Sequence, residues 1–168
     1  ASVHSNGIER GYGNAEEKLG PALEPYRANA FFACKTTQRD AVNAQAELEQ
    51  SLKRAKTDHF DLYQLHGVTS LEEVERILAP GGALETLVKA RESGKALHLG
   101  FSAHSSEAAV ELLSRFPFDS VLLPLNFAGW QAGFGPKVVE AANAPGGQPD
   151  AGDYIGMISN VVRRLLEA

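Results

Sequence analysis

Short apolar runs alternate with amphipathic stretches along most of this chain, and that alternation constrains its fold more than any other feature. Asn29–Lys35 and Phe60–His66 are apolar runs of strand length, each ending in a single basic or imidazole side chain. Between them, Asp40–Ala55 places Ala41, Ala44, Leu48, Leu52 and Ala55 at helical spacing, with Glu47, Glu49 and Lys53 expected to face elsewhere. Asp40 is the expected N-cap. Ser70 and Glu73 mark another helix start, and the Pro80-Gly81-Gly82 break precedes a helix over Ala83–Glu92 that Gly94 stops. Ala96–Ser102 is strand-like, Ser106–Arg115 helical, Phe118–Asn126 strand-like and Pro136–Ala142 helical. Repeated strand-helix alternation is the pattern of βαβ units around a parallel sheet. The two periods leave open whether that sheet is open or closed.

Both ends of the chain read differently. Residues 1–13 are poorly patterned, with Gly7, Gly11 and Gly13, and are expected to form loop. Asn14 then resembles an N-cap, with Glu17 completing a capping-box pair, for a helix running to about Leu23 before Pro25. After Ala142 the repeat stops. The expected organisation is a (β/α) domain over residues 1–142, a turn-rich linker over 143–152, and a C-terminal amphipathic helix over 153–168 packed on the same domain.

Composition narrows the function classes. A net charge of −5 with no Lys/Arg run argues against nucleic acid or an anionic membrane as partner. The single cysteine, Cys34, excludes an internal disulfide and is expected to be an inert core thiol. The five histidines lack metal-ligand spacing, so no metal site is expected. No basic segment followed by an apolar one opens the chain, and the expectation is a soluble cytoplasmic protein.

Residues two apart on a strand share a face, so Leu62, Gln64 and His66 point one way and Tyr63 and Leu65 the other. Phe31, Ala33 and Lys35 likewise share a face. Lys35 and His66 thus both stand at C-terminal strand ends, where parallel α/β proteins place their sites. Tyr12, in the turn Gly11-Tyr12-Gly13, and Ser102, ending its strand, are the other candidates. A tyrosine, a lysine and a histidine at one mouth suit proton donation: a nearby ammonium favours phenolate, and a histidine can orient a carbonyl. Ser102 serves equally well on paper as a cap for the next helix.

Several stretches, in order, resemble the aldo-keto reductase family. They are Gly11-Tyr12-Gly13-Asn14-Ala15-Glu16-Glu17-Lys18-Leu19-Gly20, then Cys34-Lys35-Thr36, then Leu48-Glu49-Gln50-Ser51-Leu52-Lys53-Arg54 followed by Thr57 to His66. Glu92-Ser93-Gly94-Lys95 leading to Leu99-Gly100-Phe101-Ser102 completes the set, and the resemblance spans roughly residues 10–142. It implies a TIM-barrel-like α/β fold, here an incomplete (β/α)8 barrel, and hydride transfer from NADPH or NADH to a small carbonyl substrate. In that scheme Tyr12 donates the proton, Lys35 lowers the Tyr12 pKa, His66 binds the substrate oxygen, and Ser102 and Asn126 lie beside the nicotinamide. The chain departs from the family pattern at Gly7, where an aspartate would pair with the lysine, at Ala103 and at Leu122. A second reading stays open, a non-catalytic, truncated homologue serving as a binding or assembly module. A barrel of this kind takes about 250 residues, so open sheet edges are expected, and with them a homodimer.

Overall fold

The computed structural model describes residues 2–6, 14–124, 130–131, 133 and 135–142. Tyr12, Asn126, the 143–152 linker and the 153–168 helix lie outside the described residues. Five strands, β1 (Ser2–Asn6), β2 (Phe31–Thr36), β3 (Phe60–Val68), β4 (Ala96–Ala103) and β5 (Ser120–Leu122), form one sheet in the order of the chain. Every pair is parallel. Parallel neighbours need a crossover between them, and helices supply it. The helices are α1 (Ala15–Leu23), α2 (Ala41–Ala55), α3 (Leu71–Leu78), α4 (Ala83–Glu92), α5 (Ser106–Arg115) and α6 (Pro136–Ala142), with a 3₁₀ segment over Glu24–Asn29. The fold is a parallel, TIM-barrel-like α/β sheet, with five strands among the described residues rather than a full eight.

The period-2 pattern sorts the side chains as the sequence implies. Phe32, Cys34, Tyr63, Leu65, Leu99 and Phe101 are buried in one continuous core with Ala44, Leu48, Leu87 and Leu112 of the helices. Burying such side chains is worth roughly 1.5–3 kcal/mol each. Phe60 adds an edge-on contact to Phe32, with ring centroids 5.3 Å apart, and stacks near Tyr63. The opposite face carries the polar set Lys35, Gln64, His66 and Ser102.

At the N-terminal rim of the sheet, two aspartates reach sideways. Asp61 at the start of β3 accepts a 2.7 Å hydrogen bond from the Phe32 backbone N–H of β2, and Asp119 before β5 accepts one of 2.7 Å from Leu99 of β4. Asp61 also pairs with Arg27 at 3.0 Å, whose guanidinium donates to Thr57, Ala30 and His59.

Four expectations need correction. Residues 2–6 are a strand, not loop, paired through backbone with residues 31–35. Asn14 precedes α1 but its side chain makes no cap hydrogen bond, and Glu17 faces Arg54 at 3.9 Å instead of closing a box. Glu47 does not face solvent: it is 6% exposed, because α2 turns it onto Thr36 of β2, whose hydroxyl donates to its carboxylate. Of the described residues in the Phe118–Asn126 run, Ser120–Leu122 are strand, and Phe118, Asp119, Leu123 and Pro124 are not. Asp40 caps α2 as expected, accepting from Asn43 N–H at 2.9 Å. Ser70 accepts from Glu73 N–H at 3.2 Å, while the Glu73 carboxylate reaches back to Thr69 rather than to Ser70.

Candidate active site

Register builds the inward face. Lys35 of β2 lies opposite Gln64 of β3, and Gln64 opposite Gly100 of β4. A Cβ at Gly100 would overlap the Ser120 hydroxyl, so the glycine opens the space in which Gln64 Nε2 donates to Ser120 Oγ at 3.1 Å. Gln64 Oε1 is buried and has no hydrogen-bond partner among the described residues.

After Leu65 the β3–β4 register shifts, and Gly67 takes φ +63°. That conformation favours glycine, and an irregularity of this kind redirects the side chain beside it. The Gly67 N–H leaves the ladder and donates to Ser102 Oγ at 2.8 Å. The same hydroxyl lies 3.2 Å from His66 Nδ1. Ser102 is therefore tied to β3 and does not cap α5; Ser105 does that, accepting from Ala108 N–H at 3.2 Å.

The charges here are all positive or neutral. Lys35 is 7% exposed, and burial lowers its pKa. No described residue forms a hydrogen bond or ion pair with its ammonium. Burial also lowers the His66 pKa, with the charges of Lys35 and Arg39, and His104, acting in the same direction. The imidazole is consequently held neutral at neutral pH. Among the described residues, no group of three or more His, Cys, Asp or Glu side chains is placed to hold a metal ion.

Behind the site, on the helix-facing side of the sheet, is a second buried polar group. Cys34 Sγ lies 3.7 Å from Glu16 Oε1, Thr36 donates to Glu47 Oε2, and Tyr63 is in register with Cys34. Burial raises the pKa of Glu47, with the Glu16 charge adding to it, and burial raises that of the Tyr63 phenol. Glu47 Oε1 has no hydrogen-bond partner among the described residues.

Three sequence-derived candidates are thus brought to one mouth: Lys35, His66 and Ser102. Tyr12 and Asn126 fall outside the described residues. Arg39, Gln64 and Gly67 also shape this mouth and are not among the sequence-derived candidates. Gln64 is signalled in sequence by its sharing the face of His66. Arg39 gives no signal in sequence beyond preceding an N-cap aspartate.

Lysine, histidine and serine thus gather at the C-terminal rim of a parallel barrel-like sheet, the end at which parallel (β/α) folds place their sites. Residues 8–142 match the Aldo/keto reductase family, and the chain belongs to that family. It is 30% identical over 128 residues to the aldo-keto reductase YhdN of Bacillus subtilis, covering 69% of this chain and 37% of that protein. The holo form of aldo-keto reductase AKR11C1 from Bacillus halodurans superposes with a TM-score of 0.62 at 22% identity, over 74% of this chain and 43% of that one. An aldo-keto reductase from Klebsiella pneumoniae in complex with NADPH gives 0.55 at 23%, over 68% and 38%. The chain thus spans less than half the length of these three relatives. No helix among the described residues is long and apolar enough to cross a membrane.

Proposed function

We propose that the site is that of an aldo-keto reductase, in which a carbonyl compound is reduced at the expense of NADPH or NADH. The observation that carries this reading is the joining of His66 to Ser102 at the strand ends, with Lys35 on the same inward face. Ser102 already accepts from Gly67 N–H, so its one proton is free for His66 Nδ1. The proton of the neutral imidazole then sits on Nε2, where it can donate to a carbonyl oxygen. Lys35 supplies positive charge for lowering the pKa of a phenol, the role assigned to it towards Tyr12, which donates the proton to the forming alkoxide.

The residues present fit a nicotinamide at its carboxamide end. Ser102 and Gln64 Oε1, which has no hydrogen-bond partner among the described residues, share the inward face and offer the oxygen atoms that an amide N–H seeks, and the family resemblance assigns Asn126 to the same carboxamide. When bound, the cofactor supplies the hydride, and the protein supplies placement and electrostatics.

NADPH titration with Trp130 and tyrosine emission as the readout tests the reading. Saturable quenching is expected, together with carbonyl reduction that Tyr12→Phe abolishes while leaving cofactor affinity nearly unchanged. Absence of binding at millimolar NADPH overturns the reading in favour of a non-catalytic binding module. A soluble, cytoplasmic homodimer joined through the edges at β1 and β5 belongs to the same proposal. Sedimentation that finds only monomer at high concentration removes the dimer.

A further inference from the structure

We propose that Arg39 is a positioning residue for His66: its guanidinium, braced on Glu73, grips the backbone at His66 and Gly67 and so fixes where the imidazole meets Ser102. One side chain reaches three elements. Nη2 donates to the His66 carbonyl at 2.8 Å and lies 3.5 Å from that of Gly67, while Nε donates to Glu73 Oε1 of α3 at 3.0 Å. Nη1 donates to the Thr37 carbonyl of the β2–α2 loop at 3.1 Å. A planar guanidinium holds such a set in fixed directions, which a lysine ammonium does not.

The brace is itself fixed at both ends. Burial alone would raise the Glu73 pKa, but hydrogen bonds from the Thr69 N–H and hydroxyl and the Arg39 guanidinium outweigh it and leave it lowered, so the carboxylate stays ionised. On the other side, the Arg39 carbonyl accepts from Ala83 N–H at 3.0 Å, and Ala41 N–H donates to the Gly81 carbonyl at 2.8 Å. These bonds flank the isolated bridge between Asp40 and Gly82, which pins the loop to the start of α4. Only 10% of the Arg39 side chain is exposed, so solvent does not compete strongly for its hydrogen bonds.

What the clamp controls is a weak point of the sheet. The β3–β4 register is broken at this place, and Gly67 spends its N–H on Ser102 rather than on a ladder partner. Without Arg39, the His66 carbonyl loses the acceptor role that anchors it, and the direction of the His66 side chain is no longer set. The charged or titratable groups facing the imidazole are Lys35, Arg39 and His104, with Glu73 neutralising part of the Arg39 charge.

Imidazole ¹⁵N shifts and the His66 titration, followed by NMR in the full chain without cofactor, test this. In Arg39→Lys the charge stays but the fork is lost. The titration midpoint is expected to remain near that of the wild type, while the Nδ1 and Nε2 shifts converge towards those of a free, tautomer-averaged imidazole. Arg39→Gln is expected to show the same convergence and, in addition, an upward shift of the midpoint. Wild-type imidazole shifts in both variants overturn the proposal. Should Arg39→Gln fail to fold, Glu73→Gln carries the test by removing the brace, and unchanged His66 shifts there overturn it as well. The consequence for catalysis rests on the reductase reading, under which Arg39→Lys lowers kcat more than it raises KM. Because the shifts are read without turnover, a chain that reduces no carbonyl sinks that reading and leaves the clamp to be judged separately.

Discussion

Replacing Glu47 by glutamine should make this protein resist a loss of stability that the wild type suffers as pH rises. The carboxylate is buried against the sheet, one oxygen takes the Thr36 hydroxyl bond, the other has no hydrogen-bond partner among the described residues, and the Glu16 charge is nearby. Burial raises its folded pKa above the ordinary 4.5 and the Glu16 charge adds to the rise, while the Thr36 bond opposes it without cancelling it. Above 4.5 the unfolded chain gives up this proton while the folded chain keeps it, so the folded state binds more protons and stability falls with rising pH. The fall approaches about 1.4 kcal/mol per pH unit for one group, and it ends once pH has passed the folded pKa. Glutamine keeps an acceptor for Thr36, puts an amide where the unpartnered oxygen stood, and does not titrate. Urea unfolding of both proteins over roughly pH 4 to pH 8 isolates the effect, since other titrating groups largely cancel in the difference. The difference should grow in favour of Glu47→Gln from just above pH 4.5 and then level off. A difference that stays flat across the range would refute the argument that burial raises this pKa.

Two further perturbations probe the scaffold. Asp61→Ala removes both the acceptor for Phe32 N–H and the partner of Arg27, in a site that is largely but not wholly buried. A loss of about 2–4 kcal/mol is expected, between the values for exposed and buried pairs, and urea midpoints at constant m-value will measure it. Gly20→Ala places a Cβ 2.5 Å from the Arg54 carbonyl oxygen and 2.7 Å from the Ala55 carbonyl carbon, where α1 crosses the end of α2. Backbone cannot yield there as a side chain would, so destabilisation of about 1–3 kcal/mol is expected by thermal unfolding, and an unchanged Tm would refute the close approach of the two helices.

Much of this architecture was legible in the sequence because its repeating unit is local. Strand β3 and helix α2 follow from the spacing of Leu48, Leu52, Leu62 and Leu65 alone, and Lys35 and His66 follow from period-2 alternation together with their place at strand ends. Strand β1 was not legible. Ser-Val-His-Ser-Asn carries one aliphatic residue, and it is a strand because β2 offers it a backbone edge, which no local pattern encodes. Glu47 was misplaced for a related reason. A helical stripe gives the mean direction of burial, but whether a flanking carboxylate is covered depends on a hydroxyl waiting on the sheet, here Thr36. The grip of Arg39 on His66 joins a residue of the β2–α2 loop to one of strand β3, 27 positions apart, so only the assembled structure displays it.

The sideways aspartates at the N-terminal rim solve a problem of alignment peculiar to parallel strands. With no hairpin turn to count residues, a strand could slip by two positions and still present the same faces inward and outward. Such a slip would carry Lys35 roughly 6.6 Å away from Gln64 while costing little in hydrophobic contact. Asp61 and Asp119 each recognise one particular N–H on the preceding strand, so they act as indexing pins. Asp61 and Asp119 stand at the starts of their strands, and the candidate site residues Lys35, His66 and Ser102 stand towards the strand ends. Side chains at the mouth can therefore change without the strands losing their place.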